Sequence, residues 1–314
     1  MAGSRITILG IFVADMAFRA ARQPRIGETL LGDGFMLGPG GKGSNQAVGA
    51  ARAGGEVTFL TRLGEDPFAR MAGDIWQDAG VRAEILTSPD RETGAAYIFV
   101  DEASGDNAII VVPGAANDLS EADIAHWAPR IEGSALFMTQ LEQPIPTALA
   151  ALRRASGAGV TTILNPAPAA ELPEAIWSLC SYVTPNETEA AELTGVSVAS
   201  IEDARRAGDR LCALGAGTAL ITLGDQGALL HGDGVSEHIP VICDADVVDT
   251  TGAGDAFNAG FAVKLSEGGS PRDAAIFGSA TAGLAVTRRG TAQAMPERSE
   301  IDAAVALAQD RGLF

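Results

Sequence analysis

The sequence predicts a three-layer α/β/α fold, with a central, mostly parallel sheet between helices and a small additional β sheet. Short apolar runs of strand length alternate with longer stretches of helical spacing, which is typical of a parallel sheet covered on both faces. The predicted central strands are 6–13, 57–63, 135–141, 160–164, 181–184 and 219–223. Helical spacing in the last third of the chain predicts helices at 253–265, 272–288 and 297–309.

Two strand-rich stretches interrupt this alternation. One is 28–37, and the other is the pair 94–100 and 107–112, whose strands follow each other without a helix between them. We interpret them as a small antiparallel sheet that stands off the main sheet and uses residues from about 14–37 and 94–113. No repeat or long linker is visible, and the length allows one large domain or two unequal ones.

The composition limits the classes of function. The chain has 314 residues, 46% hydrophobic and 20% charged, and its 40 acidic against 22 basic residues give a net charge of −18. Such a charge repels phosphate backbones and anionic lipids, so we expect neither nucleic acid nor a membrane as a partner. Any phosphate-binding site must therefore be built locally.

The cysteines and the start of the chain favour the cytoplasm. Cys180, Cys212 and Cys243 are odd in number, widely spaced and without a Cys-x-x-Cys motif, so neither a disulfide framework nor a zinc site is indicated. The apolar start, 6–14, follows only Arg5 and precedes Asp15, which fits a buried strand better than a signal peptide. No run approaches the roughly 18 apolar residues that a membrane helix needs.

The most informative segment is 246–260, which predicts a short strand, a turn of small residues and a helix. Small residues at Gly252, Ala253 and Gly254 allow close approach of a ligand, and free N–H groups at a helix start bind anions such as a phosphoryl group. Asp255 falls in or near the first turn, where it can stay ionised and accept a proton from a substrate hydroxyl. The alternative is an N-terminal cap beside a close-packed turn.

A glycine cluster at 38–47 permits several interpretations. Its glycines match the dinucleotide-binding pattern but do not follow the first strand of a strand-helix-strand unit, and Leu37 and Gly43 break the Walker A pattern. Lys42 and Asn45 instead offer hydrogen bonds to a sugar, and the glycines allow close contact with hydroxyls. A plain loop before a helix is the alternative.

Polar residues also follow three predicted strands, at 140–142, 184–189 and 222–227, as ligand sites in open α/β sheets require. Asn186 and Glu189 are three apart, so on a helix they share a face and could hold a hydrated Mg²⁺ near phosphates. Thr184 and Glu187 equally fit a helix-capping box. Residues 222–227 fit either a nucleotide-binding loop or a hairpin turn. The three histidines are scattered and predict no metal site.

Taken together and in this order, these segments closely resemble the ribokinase-like, phosphofructokinase-B type family of carbohydrate kinases. The resemblance runs from Gly10 to about Pro296, and its motifs lie at 40–47, 165–168, 186–189, 222–224 and 249–255. It implies that residues 1–314 form one domain with a central sheet between helices. It also implies a small β lid that closes over the sugar and often forms a homodimer contact. It also implies ATP as co-substrate, Mg²⁺, and activation by K⁺ or another monovalent cation.

Carried over by position, the resemblance implies the following site residues. Asp255 would be the base and the backbone of Gly252, Ala253 and Gly254 the anion hole. The sugar would be bound by Val13, Asp15, Gly41, Lys42, Gly43, Asn45, Glu142 and Asp255. ATP would be bound by Asn186, Thr222, Leu223, Gly224, Asp225, Gln226, Gly227, Gly254 and Ser279. Glu189 would hold Mg²⁺ through water, and the monovalent cation would lie at Asp249, Thr251, Ala285, Arg288, Gly290 and Ala294, several of them through backbone carbonyls.

Three positions depart from the family's ribose-phosphorylating members. Val13 stands where they have Asn, which removes a hydrogen-bond partner for a hydroxyl and can shift sugar preference about tenfold or more. Ala294 replaces a hydroxyl residue at the last cation position, which predicts weaker dependence on potassium. Ser279 replaces a His near the adenine, which predicts altered nucleotide affinity.

The expected activity is transfer of the γ-phosphate of ATP to a hydroxyl of ribose or a related pentose or ketose, most simply the primary hydroxyl (O5 of ribose). A nucleoside kinase of the same fold is a close variant, although Lys42, Asn45 and Glu142 favour a free sugar. Two other classes are a non-catalytic sugar-binding protein, which the intact 252–255 motif argues against, and a dinucleotide-dependent oxidoreductase, which the misplaced 38–43 glycines make a poor fit.

Overall fold

The structure is a computed structural model, and it describes residues 4–232, 234–243 and 245–314. The strands are β1 Arg5–Leu9, β2 Val13–Ala20, β3 Gly34–Gly40, β4 Glu56–Leu63, β5 Arg82–Thr87, β6 Thr93–Asp101, β7 Asn107–Gly114, β8 Leu136–Thr139, β9 Thr161–Leu164, β10 Tyr182–Val183, β11 Thr218–Thr222, β12 Ala228–Gly232 and β13 Val235–Ile239. The helices are α1 Lys42–Arg52, α2 Pro67–Ala79, α3 Glu121–His126, α4 Ala128–Glu132, α5 Ile145–Gly157, α6 Glu187–Thr194, α7 Ile201–Leu214, α8 Ala253–Ser266, α9 Pro271–Ala285 and α10 Arg298–Asp310.

Nine strands form the central sheet, in the order β13-β12-β11-β10-β9-β8-β1-β4-β5. The seven strands from β11 to β5 pair in parallel, and the hairpin of β12 and β13 adds two antiparallel strands at one edge. The predicted fold class is confirmed. Carboxyl ends of parallel strands meet at one edge of a sheet, and that edge carries the polar segments singled out above.

Helices cover both faces of this sheet because its strands are apolar on both sides. On one face Ile6, Ile8 and Phe59 pack with Phe261 of α8 in one buried cluster. The alternate strand residues face the other way, into a second cluster that includes Trp127. None of the described helices is long and apolar enough to cross a membrane.

The remaining four strands form a second sheet, in the order β3-β2-β6-β7. It is mixed rather than antiparallel as predicted, because β2 pairs with β6 in parallel while β3 and β7 pair antiparallel at the edges. The reason lies in the connections: β2 follows β1 and β6 follows β5, and both leave the same edge of the central sheet.

Most predicted strands differ from the structure by only one or two residues at their ends, and three differ by more. The predicted strand 6–13 is divided at Gly10, where the chain passes so close to α1 that a Cβ would lie 2.7 Å from the Cα of Gly43. Within 28–37 only the part from Gly34 onwards is a strand. The expected short strand before Asp249 is absent: Val247 and Val248 are exposed, and the N–H groups of Val248 and Asp249 both donate to the carbonyl of Val286.

Candidate active site

The predicted catalytic turn lies at the carboxyl edge of the central sheet, at the start of α8. Gly252 is the N-terminal cap in a left-handed conformation (φ 79°), which favours glycine. A side chain there would also contact Thr291. Asp255 lies in the first helical turn and is only 6% exposed. The N–H of Ala253 donates to the carbonyl of Thr250 at 3.2 Å, while the other N–H groups of this first turn, which lack intrahelical partners, lie beside the Asp255 carboxylate.

Two amides from α1 hold the Asp255 carboxylate. Asn45 Nδ2 donates to Asp255 Oδ2 at 3.0 Å, and Gln46 Nε2 donates to Asp255 Oδ1 at 3.0 Å. Burial raises the pKa of Asp255, while the charge of Lys42 and the two amide donors act in the opposite direction. The site thus carries a buried carboxylate whose ionised form is supported by three groups of one helix.

Two further carboxyl groups face the same space. Burial, aided by the charge of Asp255, raises the pKa of Asp15 to about 6. Burial also raises the pKa of Glu142 to about 7, although Lys42 opposes the shift. Burial alone would lower the pKa of Lys42, but Asp255, Glu142 and Glu189 together raise it. The structure therefore brings the predicted sugar-binding charges together around Asp255.

Glu142 also acts as a cap for α1. The helix begins after Gly41, which has a φ of 90° and no side chain to cap the helix. Glu142 Oε2 instead accepts the backbone N–H of Lys42 at 2.7 Å, from a position 100 residues further along the chain. This contact places a carboxylate at the positive end of the helix dipole and fixes α1 against the central sheet.

Close contacts explain the glycines of the 38–47 cluster. A Cβ at Gly40 would overlap the carboxylate of Asp15, and a Cβ at Gly43 would lie 2.7 Å from the Cα of Gly10. Val13 is buried (4% exposed) beside Gly94, and it lies on the same face of β2 as Asp15. Val13 thus presents an apolar surface beside a carboxylate.

The predicted nucleotide-binding residues lie along the same edge. Asn186 and Glu189 form a reciprocal capping box at the start of α6, with side-chain contacts of 2.8 and 2.9 Å to each other's backbone N–H. The alternative box of Thr184 and Glu187 is therefore wrong. Thr222 bridges to Asn186 in parallel, and 222–227 is a turn that joins β11 to β12 as a hairpin, with Asp225 exposed.

Ser279 lies in α9, with its hydroxyl already engaged. Ser279 Oγ donates to the carbonyl of Pro240 at 2.7 Å and accepts the N–H of Ile242 at 3.3 Å. It is 7% exposed. The side chain therefore fixes segment 240–242 onto α9.

The predicted cation positions lie at the carboxyl end of α9, where Ala285 is the last helical residue, and on two adjoining loops. Asp249 Oδ1 accepts the N–H of Thr251 at 2.9 Å and Asp249 Oδ2 accepts the N–H of Gly290 at 3.0 Å. Burial alone would raise the pKa of Asp249, but these two backbone hydrogen bonds act in the opposite direction and the pKa is lowered. The carbonyl of Ala285 accepts the N–H of Arg288, whose side chain pairs with Glu300. The N–H of Ala294 donates to Thr291 within the second loop.

Sequence reasoning did not predict the network of polar groups behind Asp255. Gln46, Asn165, Thr184 and Asn258 are all buried and hydrogen-bonded to one another or to the catalytic turn. The available signal was the presence of polar side chains in segments that are otherwise apolar, because buried polar groups require partners.

The sequence and the fold both have close relatives among known proteins. The family model for the pfkB family carbohydrate kinases matches residues 4–298. The ribokinase of Haemophilus influenzae is 37% identical over 94% of this chain and 96% of its own length. The deoxyribokinase of Salmonella typhi is 34% identical over 93% of this chain and 95% of its own length.

A solved structure carries the same architecture. Arabidopsis thaliana ribokinase complexed with ribose and ATP superimposes with a TM-score of 0.90 at 29% identity, over 96% of this chain and 99% of that one. Family match, identity and fold agree along nearly the whole length. This chain therefore belongs to the pfkB family of carbohydrate kinases.

Proposed function

We propose that this protein transfers the γ-phosphoryl group of ATP to a hydroxyl of ribose or a closely related pentose, most simply the primary hydroxyl, with Asp255 as general base. The observation that carries the proposal is the position of Asp255, buried in the first turn of α8 beside free N–H groups and facing Asp15, Lys42 and Glu142. The ribokinase relatives support ribose. The family match makes the dinucleotide-dependent interpretation wrong.

In the proposed reaction Asp255 acts on the acceptor hydroxyl, and the backbone N–H groups of the turn before it act on the phosphoryl group. The acceptor hydroxyl gives its proton to Asp255 as its oxygen attacks the γ-phosphorus, and the bond from the γ-phosphorus to the β,γ-bridging oxygen breaks. The N–H groups of Gly252, Ala253 and Gly254 stabilise the charge on the transferring phosphoryl group. Because the transition state is loose, positioning of the two substrates contributes more than the strength of the base.

The sugar is held by hydrogen bonds from the polar side of the pocket. We assign sugar contacts to Asp15, Lys42, Asn45 and Glu142, with the backbone of Gly41 and Gly43 allowing close approach. ATP lies along Asn186, the 222–227 turn and Gly254. The Ser279 hydroxyl supports the segment beside the adenine rather than the adenine itself, since both of its hydrogen bonds go to 240–242.

Mg²⁺ fits this pocket only as an ion shared with the nucleotide. No group of three or more His, Cys, Asp or Glu side chains able to hold a metal occurs in the described parts of the chain. Glu189 is near Lys42 and Asp255 and would hold the ion through water, which suits a hard cation bound mainly by phosphates and water. When bound, Mg²⁺ neutralises charge on the phosphates.

A monovalent cation fits the two loops around Asp249. Its ligands would be the Asp249 carboxylate and backbone carbonyls at Thr251, Ala285, Arg288, Gly290 and Ala294. Asp249 joins the loops by accepting N–H groups from both. Because Ala294 provides no hydroxyl, we expect weaker activation by potassium than in relatives that have one.

The second sheet is proposed to act as a lid and as a homodimer contact. Phe18, Phe35 and Ile110 lie on the face opposite Asp15, as the strand register and alternation require, and are 41%, 61% and 64% exposed. An exposed apolar face of this kind marks an interaction site. A second copy of the same face would cover it with a self-complementary contact.

We place the enzyme in the cytoplasm. ATP is present there as co-substrate, and the reducing environment suits the free cysteines.

A deoxypentose is the second candidate substrate. Val13 offers no hydrogen bond where ribose-phosphorylating relatives are expected to have Asn, and one of the similar proteins is a deoxyribokinase. A hydroxyl left unpaired beside an apolar side chain costs affinity, so an apolar Val13 favours the sugar with fewer hydroxyls.

The test is ADP release from Mg²⁺-ATP with ribose, 2-deoxyribose, ketohexoses and nucleosides, with and without potassium. Highest kcat/KM for ribose supports the first candidate and highest kcat/KM for 2-deoxyribose supports the second. A nucleoside or ketose preference would contradict both, and absence of turnover with every acceptor would favour a sugar-binding protein without activity.

A further inference from the structure

Gln46 makes the most complete set of hydrogen bonds around Asp255, yet the proposed reaction gives it no role. The side chain is fully buried. Gln46 Nε2 donates to Asp255 Oδ1 at 3.0 Å and to Asn165 Oδ1 at 3.1 Å. Gln46 Oε1 accepts from Gln140 Nε2 at 2.5 Å. Both N–H groups and the carbonyl of this amide are therefore engaged.

A backbone carbonyl fixes the direction of these hydrogen bonds. Asn165 Nδ2 donates to the carbonyl of Thr184 at 2.8 Å, and a carbonyl can only accept. The side-chain oxygen of Asn165 therefore points toward Gln46, and Gln46 donates to it through its amide nitrogen. The orientation that results places an N–H group of Gln46, and not its oxygen, against Asp255.

The same chain of contacts returns to the catalytic turn. Thr184 Oγ1 donates to Asn258 Oδ1 at 2.6 Å, and Asn258 Nδ2 donates to the carbonyl of Gly254 at 2.8 Å. Gly254 directly precedes Asp255. The network thus holds the carboxylate from one side and the backbone that carries it from the other.

Asn45, the second amide on Asp255, is held differently. Its Nδ2 contacts Asp255 Oδ2, but within the described residues its buried Oδ1 has no hydrogen-bond partner. The unused acceptor Oδ1 is available to a ligand hydroxyl that donates a hydrogen bond. Gln46 has no such unused group.

We propose that Gln46 is the positioning residue of the base: it holds Oδ1 of Asp255 in place and leaves Oδ2, the oxygen that Asn45 contacts, to accept the proton of the sugar hydroxyl. This inference rests on the proposed function. Donation from Gln46 also stabilises the ionised carboxylate against its burial, so its loss raises the pKa of Asp255. The other charged groups facing Asp255 are Asp15, Lys42, Glu142 and Glu189.

The test compares pH profiles of kcat/KM for the sugar in the full-length enzyme. Gln46→Met keeps the length of the side chain and removes the N–H donor. We expect kcat to fall about 10- to 100-fold at pH 7, the acid limb to move up by about one pH unit, and the KM for ATP to stay within about twofold. Part of the activity lost at pH 7 returns at higher pH.

Gln143→Met is the matched control, because Gln143 is also a buried glutamine (3% exposed) but donates to Thr139 and to the backbone of Gln140 rather than to Asp255. It loses stability as well and keeps the acid limb of the unmodified enzyme. An acid limb that does not move in Gln46→Met, or that moves equally in the control, overturns the inference.

A second variant keeps the inference testable if Gln46→Met does not fold. Gln46→Glu keeps the shape and places two carboxyl groups in one buried site, which also moves the acid limb upward. An unshifted limb in this variant overturns the inference. Asp255→Asn, measured in parallel, separates the two ideas: retained turnover there removes Asp255 as the base, whereas lost turnover with an unshifted limb in the Gln46 variants removes only the role of Gln46.

Discussion

Two regions of the molecule differ in which side chains they bury. One is the floor of the active site, formed by the polar residues around Asp255, and the other is the outer face of the second sheet, which is the face opposite Asp15. At the floor, polar side chains such as Gln46, Asn165 and Asp255 are buried and hydrogen-bonded to one another. On the second sheet, apolar side chains such as Phe35 and Ile110 are exposed. A satisfied buried network specifies one geometry, whereas an exposed apolar face is free to meet another surface. We therefore propose chemistry for the first region and contact with a partner for the second.

The largest expected effect comes from Asp255→Asn at the floor of the active site. The amide keeps the shape but cannot take up the proton, so kcat is expected to fall about 10³-fold while sugar and ATP still bind. ADP release and calorimetric binding measure the two effects. Asp74→Asn, on the exposed side of α2, is the control and keeps full activity. Near-normal turnover of Asp255→Asn would exclude this residue as the base.

The next largest effect is expected from Gly40→Ala, because Gly40 in β3 and Asp15 in β2 lie where the second sheet meets the active site. The added Cβ would overlap the Asp15 carboxylate, so Asp15 must move and the KM for the sugar is expected to rise about 10- to 100-fold. The KM for ATP stays within about twofold. Gly73→Ala is the control, since a Cβ there meets nothing within 4 Å. An unchanged KM for the sugar would mean that Asp15 does not bind it.

The outer face is tested by Phe35→Glu. A charge at the centre of an apolar contact is expected to weaken self-association at least tenfold, as measured by sedimentation across protein concentrations. Leu307→Glu carries the same change to an exposed residue of α10 and leaves association unaffected. If the unmodified protein is monomeric at all concentrations, or if both variants associate alike, the proposed dimer contact is wrong.

The smallest expected effect comes from Val13→Asn. Adding a hydrogen-bonding side chain beside Asp15 raises the ratio of kcat/KM for ribose over 2-deoxyribose about tenfold. Val13→Leu keeps the side chain apolar and keeps the original ratio within about threefold. A ratio that stays constant in Val13→Asn would show that residue 13 does not contact the distinguishing hydroxyl.

The sequence was sufficient for features that depend on neighbours along the chain. Alternating apolar runs predicted the central sheet, and the 249–255 motif predicted that Asp255 lies at a helix start, because both follow from local periodicity and turn chemistry. The alternative interpretation, a helix-capping box of Thr184 and Glu187, is wrong, because Asn186 and Glu189 form the box. Shifted bounds of this kind reflect competition among several capping residues in one short stretch.

Features that depend on distant partners could not be predicted from local patterns. The parallel pairing of β2 with β6 joins strands that are far apart in sequence, so the second sheet was expected to be antiparallel. Gln46 gains its role only from Asn165, 119 residues away, and Asp255, 209 residues away. The same limit applied to Glu142, whose contact at the start of α1 crosses 100 residues.

The separation of Gln46 from Asp255 also has a consequence for how the protein is made. Synthesis runs from the amino end, so α1 leaves the ribosome long before α8. Until then its buried amides have no carboxylate to meet, and closing so long a loop is a slow step in folding. Products truncated before α8 lack Asp255 and keep one side of α1 uncovered, a state that chaperones and proteases recognise.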